Sequence, residues 1–168
     1  MHASTEPARA AKSRIPTHVA SLDELLGAHP DAIESLFLRS GPADPAQLGE
    51  APRGLVLAVT GLAPVHLATR GIVRFASQRL VPWSGVVFDH GGCAGANRLF
   101  GREVARFRAE RSASLLDGED ALVLSYDAES KLLAGLRDEL RRIGPGMALG
   151  ATFVRGRLAG WFGLTTSV

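Results

Sequence analysis

Two runs of two-residue periodicity, joined by Asp117-Gly118, constrain the fold of this chain more than any other feature. Between Arg106 and Leu116, Phe107, Ala109, Ala113 and Leu115 share one face, while Arg106, Arg108, Glu110, Ser112 and Ser114 share the other. That alternation predicts a half-exposed strand. Asp-Gly between two such runs is a strong hairpin signal, because both residues of a tight primed turn take positive φ. Ala121 to Asp127 (ALVLSYD) is the partner strand. A two-residue turn would set Leu116 opposite Glu119, Ala113 opposite Leu122 and Ala109 opposite Tyr126.

Further short strands surround this hairpin. Gly54 to Thr60 (GLVLAVT) is apolar enough to be buried on both faces, and Gly85 to Asp89 and Ala96 to Phe100 are strand candidates flanking the glycine-rich stretch His90 to Gly95. Met147 to Arg155 and Leu158 to Thr166 form a last hairpin turning at Gly156. Helices are expected earlier. Ser21 with Glu24 has the spacing of a capping box ahead of Leu25 and Leu26, and Asp31 is placed to cap a second short helix ending at Gly41-Pro42. Ser40 to Arg53 reads as a loop. Residues 62–80 carry a helical stripe, with His66, Arg70 and Arg74 on its wet side, and Ser130 to Ile143 has Leu132, Leu133, Leu136 and Leu140 at helical spacing before Gly144-Pro145-Gly146.

At 168 residues the chain suits one domain, whose folding hides roughly 70% of the unfolded surface. We assign residues 1–20 to a disordered tail and 21–168 to a single α+β domain. Its N-terminal helices precede an antiparallel β-meander that closes or half closes into a barrel. The tail has basic residues but no apolar stretch behind them, and no run approaches the length of a membrane span. A single cysteine, Cys93, rules out an internal disulfide and points to the cytoplasm.

The net charge is only +2, and all basic residues but Lys12 and Lys131 are arginine, without interleaved aromatics, so nucleic acid is not an expected partner. No phosphate-binding loop, dinucleotide fingerprint, serine elbow or zinc-ligand spacing occurs, so neither a cofactor nor a metal is expected. Membrane contact is limited to a weak surface interaction through His66, Arg70 and Arg74.

The densest chemistry lies in Pro82 to Gly101. Trp83, Phe88, Asn97 and Arg98 there, with Phe107, Arg111, Tyr126 and Trp161 elsewhere, are the candidate ligand-lining residues. Arg111 falls on the inward side of its strand and needs an acidic partner or a ligand carboxylate. Asp89, His90 and Tyr126 are the candidate acids and bases. Three functions follow: a barrel binding a small apolar molecule, a cofactor-independent isomerase or cyclase working by proton transfer, or an interaction protein docking through residues 62–80.

The segments PWSGVVFD, GANRLFG, SLLDGEDALVLSYD, LRDELRRIGPGMALG and LAGWFGL together resemble a group of uncharacterised bacterial proteins over about residues 75–165. By analogy of shape, the resemblance implies a small barrel of lipocalin-like character holding acyl or polyketide-like molecules. Such proteins often carry a basic residue after Trp-x-Gly, where this chain has Val86.

Overall fold

A computed structural model describes residues 19–60, 83–126, 133 and 135–166. Eight antiparallel strands follow one another around a closed barrel: β1 (Arg53–Val59), β2 (Trp83–Phe88), β3 (Ala94–Leu99), β4 (Arg102–Ala113), β5 (Asp120–Tyr126), β6 (Leu136–Gly144), β7 (Met147–Val154) and β8 (Arg157–Thr165). β8 closes the circle on β1 over six residue pairs, from Arg53↔Thr165 to Val59↔Gly160. The seam between β1 and β2 is narrower, with Arg53↔Gly85 as its pair among the described residues. Gly85 sits there at φ 121°, and a Cβ on it would strike the backbone of Pro52, so only glycine lets the two strands meet.

Parity along each strand sorts side chains into two cores. Inside the barrel lie Val86, Phe88, Phe107, Ala109, Leu122, Leu124, Leu140, Ala148, Phe162 and Leu164. Eight strands leave an interior about wide enough for side chains to fill. Here Phe162 occupies the space that a side chain at Gly150 would need. The outer face of β1, β7 and β8 carries the second core, where Leu57, Leu149, Ala151, Phe153 and Trp161 meet Leu22, Leu25 and the helix α1 (Pro30–Leu38) through Ile33, Leu36 and Phe37. A short helix α2 (Pro45–Leu48) lays Ala43 and Leu48 against the interior cluster and so stops one end of the barrel.

Several local expectations change. Ser21 makes no capping bond, and the first helix is only a 3-10 turn, Leu22–Leu25. α1 is capped by the His29 ring, which accepts from the Asp31 amide, with Pro30 in the first turn where its missing N–H costs nothing. The proposed loop 40–53 contains α2. β1 is half-buried rather than enclosed on both sides. The central hairpin pairs Phe107 with Tyr126, Ala109 with Leu124 and Ala113 with Asp120. Asp117-Gly118 belongs to a longer turn, with Gly118 donating to the Ser114 carbonyl and Ser114 to that of Glu119. The pairing moves by an even number of residues, so every side chain keeps its face. Val154 and Arg157 pair across Arg155-Gly156, the turn expected of the last hairpin.

The largest correction is β6. Residues 136–144 form a strand instead of the end of a helix, and Gly144-Pro145-Gly146 turns it into β7. Helical spacing of the leucines suggested wet charges between them, but Asp138, Glu139 and Arg141 are all buried. Each has partners. The Glu139 carboxylate accepts from Ser114 Oγ at 2.5 Å, the Leu115 amide at 3.0 Å and Arg137 Nε at 2.8 Å. The residues 61–82 and the start of the 130–143 segment lie outside the described residues.

Arg141 holds three parts of the chain together. Its guanidinium, 1% exposed, donates to both Asp117 oxygens at 2.6 and 2.7 Å, to the Glu119 carbonyl at 3.1 Å and to the Phe37 carbonyl at 3.2 Å. It also lies 4.7 Å from the centre of the Phe37 ring. Beside it, Ala43 and Arg142 exchange backbone bonds with Leu140 and Gly41, continuing the β6 edge where β5 leaves it. The guanidinium holds the Asp117 carboxyl below the usual carboxylate range. A depressed folded pKa means the pair's stabilisation is present above the unfolded value of 3.8 and is lost as pH falls through the lower folded one. Arg141→Ala is expected to cost about 2 kcal/mol in urea denaturation, because it strands a buried helix-end carbonyl and removes the partner of the partly exposed Asp117. A loss below about 0.5 kcal/mol, the level of an ordinary surface change, would contradict this role.

Candidate functional site at the barrel mouth

The end of the barrel opposite α2 carries a chain of polar side chains. It is assembled from the N-terminal ends of β2 and β6 and the C-terminal ends of β3, β5 and β7, which antiparallel order brings to one rim. Trp83 Nε1 donates to Asn97 Oδ1 at 2.8 Å, and Asn97 Nδ2 donates to the Tyr126 hydroxyl at 3.0 Å. Tyr126 in turn donates to Asp138 Oδ2 at 2.5 Å, while Thr152 donates to Asp138 Oδ1 at 2.6 Å. Register explains the meeting, since Asp138 faces Leu124 on one side and Thr152 on the other.

The bonds all run the same way. Indole N–H is a donor only, so it fixes which end of the Asn97 amide is oxygen. Tyr126 must then accept from Asn97 and give its own hydrogen to Asp138. Bonds aligned head to tail polarise one another. Below them the aromatic rings stack edge to face: Trp83 on Phe162 at 5.5 Å, Tyr126 on Phe107 at 5.9 Å, and Phe107 on Phe88 at 5.7 Å. Trp83, Asn97 and Tyr126 are partly exposed, whereas Asp138 is buried. Among the described residues this rim is therefore polar and partly exposed, above an apolar interior packed with rings.

Burial raises the Asp138 carboxyl above its ordinary value, against the opposing bonds from Thr152 and Tyr126. Burial also pushes the Tyr126 hydroxyl well up, helped by the neighbouring Asp138 charge. A pair of acidic groups made reluctant to ionise at an accessible mouth has the character of a functional site.

The expected site residues divide. Trp83, Asn97 and Tyr126 come together in the chain, and Phe88 and Phe107 lie in the apolar interior beneath. Trp161 does not line the interior: it points outward and packs against Phe37 at 5.5 Å. Arg111 has inward parity, opposite Leu122, but at the far end of a long strand it is exposed rather than enclosed. Arg98 bonds Ser84 Oγ at 3.2 Å.

Asp89 and His90 sit at the other end of β2 from Trp83, so the three candidate acids and bases are not brought together. Asp89 organises its own loop by accepting from the amides of Cys93 and Ala94, and the exposed His90 ring lies 2.9 Å from Glu50. Cys93 Sγ donates to the Gly91 carbonyl rather than meeting His90. His66, Arg70 and Arg74 lie outside the described residues. Sequence reasoning missed Asp138 and Thr152; the alternation Leu136, Asp138, Leu140 was the available signal for the first.

A separate groove of about 310 Å³ runs along β2, β3 and β4, lined among others by Val87, Asp89, Glu103, Arg106 and Arg108. No cluster of three His, Cys, Asp or Glu side chains fit to hold a metal occurs among the described residues. No helix among them is long and apolar enough to cross a membrane.

Neither a family model nor a curated protein matches this chain. Among solved structures, the crystal structure of a protein from Thermomonospora curvata is similar, with a TM-score of 0.57 and 17% identity over 88% of this chain and 93% of that one. At that identity the likeness establishes the fold alone.

A raised folded pKa makes the Asp138 contribution fall as pH rises from 3.8 through the folded value, since the folded chain holds the extra proton in that interval. Asp138→Asn removes the charge and keeps the shape. Urea denaturation is expected to show the variant gaining on the parent at neutral pH and losing that gain as the solution is acidified towards pH 4. A difference independent of pH would show that Asp138 carries no such penalty.

Proposed function

We propose that the protein binds a small, largely apolar molecule, of acyl or polyketide-like character, with its polar head at the Trp83–Asn97–Tyr126 rim. The observation that carries this reading is the placement of the aligned chain ending on a buried carboxylate at the partly exposed mouth of the barrel. Buried carboxylates cost stability, and a closed barrel does not need one to hold its strands. The eight strands follow in up-and-down order, as in lipocalins, whose interiors hold one small ligand. Because Phe88, Phe107 and Phe162 fill the depth, a guest is confined to the rim or displaces a ring. The free, exposed thiol of Cys93 suits a reducing compartment and thus the cytoplasm.

A second reading, cofactor-independent isomerisation or cyclisation by proton transfer, draws support from Tyr126 and Asp138. Burial raises both pKa values, so each group holds its proton more tightly than it would in water. In that reading Asp138 takes the place of Asp89 and His90.

Mass spectrometry of the full chain under native and denaturing conditions tests the binding reading. A native mass exceeding the denatured one by a small organic molecule is expected, with the excess lost in Trp83→Ala. Equal masses, together with no saturable change in Trp83 fluorescence on adding apolar probes to a Trp161→Phe background, would overturn it.

A further inference from the structure

The direction of the hydrogen bonds specifies the kind of head group the rim takes. Asn97 Oδ1 is occupied by the Trp83 indole, and the Tyr126 and Thr152 hydroxyl hydrogens are both spent on Asp138. One Asn97 N–H goes to Tyr126. Its second N–H has no partner among the described residues, and Asn97 is partly exposed. The amide therefore has a spare donor at the rim, while its oxygen already accepts from Trp83.

We infer that the rim reads the carbonyl oxygen of its ligand, Asn97 donating its second amide N–H and Tyr126 joining as a second donor when Asp138 takes up a proton. This rests on the binding reading above. The coupling follows from the geometry at Asp138. When its Oδ2 carries a proton from solvent, that proton can bond back to the Tyr126 oxygen, and the Tyr126 hydrogen turns towards the mouth. Two donors converging on one oxygen suit a ketone, an ester or a thioester.

The groups facing Asp138 are Tyr126 from β5, Thr152 from β7 and, one bond further, Asn97 from β3. Its charged neighbours in sequence, Arg137 and Glu139, pair with each other on the opposite face of β6. Asp138 is thus the ionisable group that faces this chain from the described part of β6, and carbonyl binding strengthens as pH falls.

Acetophenone and ethylbenzene, alike in shape and differing in the carbonyl, provide the test, titrated by calorimetry into the full chain. One net hydrogen bond corresponds to about tenfold tighter binding of acetophenone. At pH 8 Asn97→Leu is expected to erase that preference while ethylbenzene still binds, and Tyr126→Phe to leave a preference that no longer changes with pH. Equal affinity for the two probes in the parent overturns the carbonyl inference and leaves the binding reading intact. A preference at pH 8 that survives Asn97→Leu also overturns it. If neither probe binds at any pH between 5 and 8, both fall.

Discussion

Closure of β8 onto β1 is the constraint on which the rest of this molecule depends. Six residue pairs join the two strands, and with them every strand has a neighbour on each side. A closed sheet has an inside and an outside, so alternation along each strand, reset at the bulges, settles which side chains enter the barrel. Trp161 and Phe162, adjacent in sequence, consequently serve different cores: one under α1, the other in the barrel.

The same parity separates two groups of buried charge on β6. Glu139 and Arg141 face outward, yet they are sealed beneath the turn 114–119 and α1, each meeting several partners. They tie the helix and the turn to the wall. Asp138, next to Glu139 in sequence, faces inward and among the described residues takes bonds from Tyr126 and Thr152. One strand therefore fastens the outer layer with one set of charges and furnishes the mouth with another.

The strand-rich half of the fold was legible because the hairpin from Phe107 to Tyr126 and the hairpin turning at Gly156 obey two-residue alternation with glycine at the turns. Turn length was not, since Asp117-Gly118 fits a two-residue turn as well as the longer one that Ser114 closes. β6 escaped because pattern reading assumes that charges face water. In Arg137-Asp138-Glu139-Leu140-Arg141 the buried charges on both faces meet partners far away in sequence. That error also hid the site. Trp83, Asn97 and Tyr126 could be picked out as rare polar or aromatic residues near strand ends, but Asp138, the group on which their bonds converge, was assigned to the wet side of a helix. Asp89 and His90 drew notice through a glycine-rich neighbourhood that turns out to be a hairpin loop at the stopped end.

The barrel stands on its ladders, its two apolar cores and Arg141, and in the proposed function the chain from Trp83 to Asp138 is held at some cost in stability. The unfolding free energy of the combined variant Tyr126→Phe, Asp138→Val and Thr152→Val at neutral pH tests this most directly. The account predicts a cooperatively folded barrel at least as stable as the parent. A loss of about 3 kcal/mol or more, the scale of a broken structural ion pair, would show instead that the chain is part of what holds the barrel together.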